Sequence, residues 1–198
     1  EFHALARGEV RRRFARRARV ASLPGDPLAG LQLDPATGGG DGCVVVAARP
    51  RTPGTARFAL PPAPAGGLTL LGAPTVVGRL RVRGTRWSAQ LVSRLWDVAP
   101  DGARRLVARG LLRPSGRRRD VWQLHPSAWR FAPGHVAELE LLGADPPYGR
   151  PSNGAFSVLV ERLELRLPVR ETPDCRRVRD PSPPARLPGQ TLAPGVEA

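Results

Sequence analysis

Lysine and methionine are both missing from this chain of 198 residues, so each of its 31 basic side chains is an arginine. Seventeen acidic residues leave a formal net charge of +14. Arginine in place of lysine, alongside abundant Ala, Gly and Pro, is the mark of GC-rich coding, which weakens charge as a clue to function. Long apolar runs are missing too. None approaches the ~20 residues of a membrane-crossing helix, so a helical span is excluded. No secretory signal is visible, and the chain begins at Glu1, so it reads as processed or as a piece of something longer. The 23 prolines and 22 glycines follow no collagen triplet. Two cysteines, Cys43 and Cys175, lie far apart in loop-like sequence. They form either a disulfide in an oxidising compartment or two unrelated thiols.

Where the charge sits says more than its total. Residues 1–56 hold nine arginines and five acids, mostly through the cluster Arg11, Arg12, Arg13, Arg16, Arg17 and Arg19. Residues 57–170 hold eighteen arginines and eight acids, and residues 171–198 hold four of each. A nucleic-acid binder would meet this basic criterion, but it usually adds aromatic residues placed for stacking. Here the aromatic residues sit inside apolar alternations, which points to a core. The Arg11 to Arg19 cluster reads as a solvated face, or as a segment packed on the acidic surface of another domain.

Three zones separate by composition. Residues 1–20 are expected to form a short basic helix with Phe2, Leu5, Val10 and Phe14 on one side. Residues 21–67 are broken by prolines and by Gly38 to Gly42, leaving short apolar pieces such as residues 43–48. Residues 171–198 carry six prolines and read as a mobile tail. The zone between, residues 57–170, reads as strands. Leu80 and Val82 alternate with Arg79, Arg81 and Arg83, a period of two with one face wet. The run from Leu91 to Val98 ends at Ala99-Pro100-Asp101-Gly102, a turn by composition, and residues 105–112 return from it as an antiparallel hairpin. Residues 121–124 form a short strand and Phe131-Ala132-Pro133-Gly134-His135 a turn. Ala137, Leu139 and Leu141 then alternate with Glu138 and Glu140, a one-sided strand.

The last stretch changes phase. Phe156, Val158 and Val160 occupy even positions, while Leu163, Leu165 and Leu167 occupy odd ones. One extra residue must be accommodated for both halves to face the core, so a bulge is expected at Glu161-Arg162. Seven or eight short strands with turn signals between them make an antiparallel sandwich.

Catalytic chemistry is hard to place. The histidines His3, His125 and His135 have no second ligand at metal spacing, and no cofactor or metal is expected. GxSxG and phosphate-loop patterns are missing; Gly38 to Gly42 is a linker by composition. A triad can be assembled from Ser88 or Ser93, His135 and Asp97. The simpler reading makes Asp97 a cap for backbone N–H groups and His135 the closure of its turn. Trp87, Trp96, Trp122 and Trp129 are expected in the core or an interface rather than in a ligand groove. No residue is assigned a catalytic, cofactor or metal role.

Several segments taken in order carry a family likeness. They are Leu70-Leu71-Gly72-Ala73-Pro74-Thr75-Val76, Arg94-Leu95-Trp96-Asp97-Val98-Ala99-Pro100-Asp101-Gly102, Arg109-Gly110-Leu111-Leu112-Arg113, Phe131-Ala132-Pro133-Gly134-His135 and Asp145-Pro146-Pro147-Tyr148. Their order and content resemble the C-terminal non-catalytic domain of the X-prolyl dipeptidyl-peptidase and cocaine esterase group of serine hydrolases. Tyr148-Gly149-Arg150-Pro151-Ser152-Asn153-Gly154 and Leu165-Arg166-Leu167-Pro168-Val169-Arg170 look like an actinobacterial branch. The resemblance implies an all-β, jelly-roll sandwich, like galactose-binding modules, over residues 57–170. It further implies that residues 1–56 end a preceding α/β-hydrolase domain and cross over from it, that this domain carries the Ser-Asp-His triad, and that the sandwich helps shape the active-site entrance. The hydrolase domain is the expected partner, with homo-oligomers also open and no nucleic acid or membrane expected. A carbohydrate- or ligand-binding sandwich and an Arg-rich nucleic-acid binder are the alternatives.

Overall fold

Alternation of apolar and polar residues lets a strand bury one face and wet the other, and this chain repeats that pattern through most of its length. The computed structural model describes residues 6–23, 44–48, 52–85, 87, 89–115 and 119–171. Among them are twelve strands and no α-helix: β1 (Gly8–Phe14), β2 (Ala18–Ala21), β3 (Val45–Val46), β4 (Ala56–Ala59), β5 (Leu68–Gly72), β6 (Thr75–Gly84), β7 (Leu91–Val98), β8 (Arg104–Leu112), β9 (Asp120–Gln123), β10 (Ser127–Phe131), β11 (Val136–Leu142) and β12 (Phe156–Val169). The expectations placed on His3, Gly38 to Gly42, Cys43, Ser88, Cys175 and the proline-rich tail lie outside the described residues.

All pairings are antiparallel, in two sheets. One runs β10-β5-β12-β6-β9 with β1 and β2 also on β12, and the other runs β3-β8-β7-β11-β4. Their inner faces meet in a core that includes Leu70, Leu80, Leu91, Leu95, Leu139 and Leu165, each essentially inaccessible to water. The fold is thus the expected all-β sandwich, with more strands than the seven or eight the turn signals suggested.

The spine is β12. Its register against β6 shifts between Val160 and Arg162, so the bulge falls where the change of phase required it. Phe156, Val158, Val160, Leu163, Leu165, Leu167 and Val169 are all buried as a result. The first half of β12 pairs with β2, ending at Ala18↔Val160, and the second half with β1, beginning at Phe14↔Leu163. The break between β1 and β2 therefore lies across the ladder from the bulge.

The expected helix over residues 1–20 is not formed within the described part, which holds β1 and β2 instead. Val10 and Phe14 are four residues apart, a spacing that fits one side of a helix and one side of a strand equally well. A seven-residue ladder to β12 decides for the strand, and both side chains pack on the sandwich core.

The hairpin β7–β8 turns at residues 99–103, where Gly102 adopts φ of +85° and Asp101 Oδ1 accepts the Ala103 N–H at 2.9 Å. A glycine is needed there because side chains rarely tolerate that backbone. A different constraint acts at Gly143. A Cβ on it would lie 2.1 Å from the Ala21 carbonyl oxygen, so the chain after β11 passes hard against the end of β2.

Candidate functional site

Strand β7 presents alternate side chains to the two faces of its sheet. Leu91, Ser93, Leu95 and Asp97 point into the sandwich, and Asp97 is 4 % exposed. Its carboxylate is not a backbone cap. Asp97 Oδ2 accepts the Trp129 indole N–H from β10 at 3.0 Å, and Oδ1 lies 2.9 Å from His135 Nδ1. The turn at residues 132–135 is closed by the backbone, with the His135 N–H donating to the Ala132 carbonyl at 3.0 Å. That leaves the His135 imidazole for Asp97. The cap expected of Asp97 is supplied by Asp101 instead, because Asp97 lies within the strand, where its own backbone groups belong to the ladder.

The structure thus brings Asp97 and His135 together and leaves Ser93 apart. Ser93 lies four residues up the strand, a rise of about 13 Å. It is buried, and its hydroxyl accepts the Trp122 indole N–H at 2.9 Å. Ser93 is a structural acceptor, and the geometry does not make it a nucleophile for His135. Two indoles from one sheet, Trp122 and Trp129, therefore reach across the core to Ser93 and Asp97 on the other. Trp96 donates to Glu140 at 2.9 Å, whereas Trp87 is 91 % exposed. The expectation of buried tryptophans holds for Trp96 and Trp122, with Trp129 half-buried.

Beside His135 a cleft of about 590 Å³ is bounded by the proline-bearing segment at residues 60–64, by Phe131 and Ala137, and by Glu9, Arg11 and Arg12 of β1. Its lining is largely apolar with a charged rim. Among its described lining residues there is no serine, threonine or tyrosine.

The other face of β7 holds what the sequence did not disclose. Arg94 and Asp145 are 2 % and 1 % exposed and form a bidentate pair, Arg94 Nε to Oδ2 at 3.0 Å and Arg94 Nη2 to Oδ1. Glu140 links Trp96 to Arg57, whose Nε lies 3.2 Å away. Glu138 accepts Arg104 Nη2 at 2.9 Å. Burial pushes the Glu138 carboxyl above its ordinary range, outweighing the pull of Arg104 and Arg57, while Glu140 adds to the rise. Burial likewise lowers the Arg104 guanidinium against the attraction of Glu138. Tyr148 stacks under Arg109, 5.0 Å from guanidinium carbon to ring centre, and its hydroxyl meets His125 Nε2 at 2.8 Å.

Glu138 and Glu140 were expected on the wet face of a one-sided strand, and this is corrected: Glu140 is 5 % exposed. That side of the sheet is covered. Val46 packs with Trp96, Val98 and Leu106, and the turn through Asp145 and Gly149 lies over Arg94, Val92 and Leu111. The basic cluster of β1 and β2 is partly paired, with Arg11 near Glu9 and Arg13 on Glu164. Among the described residues no group of three or more His, Cys, Asp or Glu side chains is arranged to hold a metal.

The comparisons bear on this arrangement. The profile of the X-Pro dipeptidyl-peptidase C-terminal non-catalytic domain matches residues 24–158. No curated protein matches the chain. Among solved structures, an α-amino acid ester hydrolase is 19 % identical over 59 % of this chain, with a TM-score of 0.47, and 25 % of that protein is covered. An aminopeptidase from a marine sediment Thaumarchaeota archaeon is 13 % identical over 58 % of this chain and 25 % of its own, with a TM-score of 0.46. A CocE/NonD family hydrolase from Staphylococcus aureus is 10 % identical over 77 % of this chain and 32 % of its own, with a TM-score of 0.43. The chain spans about a quarter to a third of the length of these proteins. With the family profile covering well over half of its residues, the chain belongs to the X-Pro dipeptidyl-peptidase C-terminal non-catalytic domain family.

Proposed function

We propose that this sandwich serves as the accessory domain of a serine hydrolase of the X-prolyl dipeptidyl-peptidase or acyl esterase type. In this reading it packs beside an α/β-hydrolase domain of the same protein and shapes the entrance to that domain's active site. It hydrolyses nothing alone. The observation that supports the reading is the family match to a non-catalytic domain, together with the separation of Ser93 from the Asp97–His135 pair, Ser93 and Asp97 each accepting an indole N–H from the opposite sheet. Ser93, the hydroxyl on the strand of that pair, accepts the Trp122 indole N–H, and in this reading the nucleophile belongs to the hydrolase domain.

The coding sequence upstream of Glu1 supplies the test. The reading expects it to encode an α/β-hydrolase with a GxSxG elbow followed by Asp and His. Expressed as a separate polypeptide, that segment is expected to co-elute with this chain in a one-to-one complex. An upstream sequence without a hydrolase, or a hydrolase that elutes apart, overturns the proposal.

A further inference from the structure

The bulge in β12 has a second effect, on the outer face of the larger sheet. It sets Arg162 directly across the ladder from Arg79, two like charges at a pairing where attraction normally stabilises and repulsion costs. Glu161 answers Arg79 and Arg81, its oxygens 2.9 and 2.6 Å from their Nε atoms. Glu164 is held by Arg13 and Arg166, at 2.7 and 2.6 Å. Between these groups opens a cleft of about 920 Å³ whose arginines are Arg13, Arg17, Arg79, Arg81, Arg119 and Arg162, with Glu161 and Glu164 as its acids. Four more positive charges than negative therefore converge on one concavity. Arg17, Arg119 and Arg162 are exposed and meet no carboxylate among the described residues.

We infer that this cleft is a docking site for a carboxylate-rich protein surface. Guanidinium forks match carboxylates in plane and charge, and bind them bidentately. Arg13, Arg79 and Arg81 already contact the two internal glutamates through Nε, which restrains their side chains and lowers the ordering cost of a further contact. Ala15 and Val77 supply apolar surface between the charges, and apolar surface with arginine is the composition of a protein interface centre. A nucleic acid is less suited. The one aromatic residue in the lining, Phe14, is edge-on against Phe58 at 5.3 Å and offers no platform for a base. The inference deepens the docking reading by naming a face, and it rests on that reading for the occupant being a polypeptide.

The test is calorimetric titration of the full chain with poly-L-glutamate at low salt, beside duplex DNA of equal charge. Saturable binding of the polypeptide is expected, weakened at least about tenfold by Arg79→Ala with Arg162→Ala. The charge-matched control, Arg113→Ala with Arg150→Ala away from the cleft, is expected to leave it nearly unchanged. A second pair, Arg17→Ala with Arg119→Ala, reads the same site without touching the β6–β12 ladder. Equal losses in cleft and control variants, no saturable binding, or tighter binding of the duplex overturns the inference. Co-elution with a hydrolase domain can still succeed in that event, so the two readings fail separately.

Discussion

Asp97 Oδ1 lies 2.9 Å from His135 Nδ1, and the second oxygen of the same carboxylate takes the Trp129 indole N–H at 3.0 Å. Asp97 and His135 thus meet at the end of the β7–β11 ladder in one sheet, and Trp129 ties their carboxylate to the other sheet. Asp97→Ala removes both acceptor oxygens and leaves the Trp129 indole N–H and the His135 ring without their partner. The expected cost is about 1–3 kcal/mol, read as a lowered urea midpoint followed by tryptophan fluorescence. A variant as stable as the parent would show that the pair holds nothing.

The buried pair Arg94–Asp145 makes a sharper prediction. Removing one partner strands a charge that water cannot reach, so Arg94→Met is expected to cost about 3–5 kcal/mol. Removing both, Arg94→Met with Asp145→Leu, is expected to recover part of that loss, because the two paired charges leave together, while Arg109 loses the Asp145 carboxylate 3.8 Å from its Nε. Additive losses in a double-mutant cycle would refute the coupling.

These residues also show where sequence reasoning reached its end. The bulge was legible because an even-to-odd change of phase between Val160 and Leu163 has one economical solution in a sheet. The hairpin at Pro100-Asp101-Gly102 was legible for the same kind of local reason. The role of Arg94 and Glu140 was not. Alternation reports that a strand has two faces, and it does not report whether the second face meets water or another stretch of chain. Here residues 44–48 and the turn through Asp145 cover that face, contacts set by distant sequence. The spacing of Val10 and Phe14 misled for a related reason, since a four-residue interval fits both periods and a distant partner strand made the choice. Of the candidate site, the pairing of Asp97 with His135 could be guessed from residue types, whereas Ser93 is excluded by its place along β7.

A small substitution tests the close approach at Gly143. A methyl group there would meet the Ala21 carbonyl oxygen at 2.1 Å, and a backbone atom cannot swing aside. Gly143→Ala is expected to destabilise by about 1–3 kcal/mol or to prevent folding, measured as the loss of cooperative unfolding or a lowered midpoint. Wild-type stability would mean that β2 is not held where the structure has it.

Two glutamates on different faces should respond to pH in opposite senses. Burial raises the folded pKa of Glu138 above its ordinary value of 4.5. The folded state then binds the proton more tightly, and this group costs stability as pH rises from 4.5 through the raised value. Glu138→Gln is therefore expected to be more favourable, relative to wild type, at pH 7 than at pH 4.5. For Glu164, burial acts upward but is outweighed by hydrogen bonds from Arg13 and Arg166, leaving its pKa lowered. Its contribution is present above the ordinary value and is lost as pH falls through the lowered one, so the cost of Glu164→Gln should shrink below pH 4.5. Denaturation midpoints across pH check both, and pH-independent effects would contradict them.

As an accessory domain, the proposed role of this sandwich is to contribute surface and no chemistry. Its most direct test is turnover of an X-Pro-nitroanilide and of a simple phenyl ester by the purified chain, with and without a serine-directed phosphonate. Rates indistinguishable from buffer are expected in all cases. Turnover above buffer that the phosphonate abolishes would contradict it.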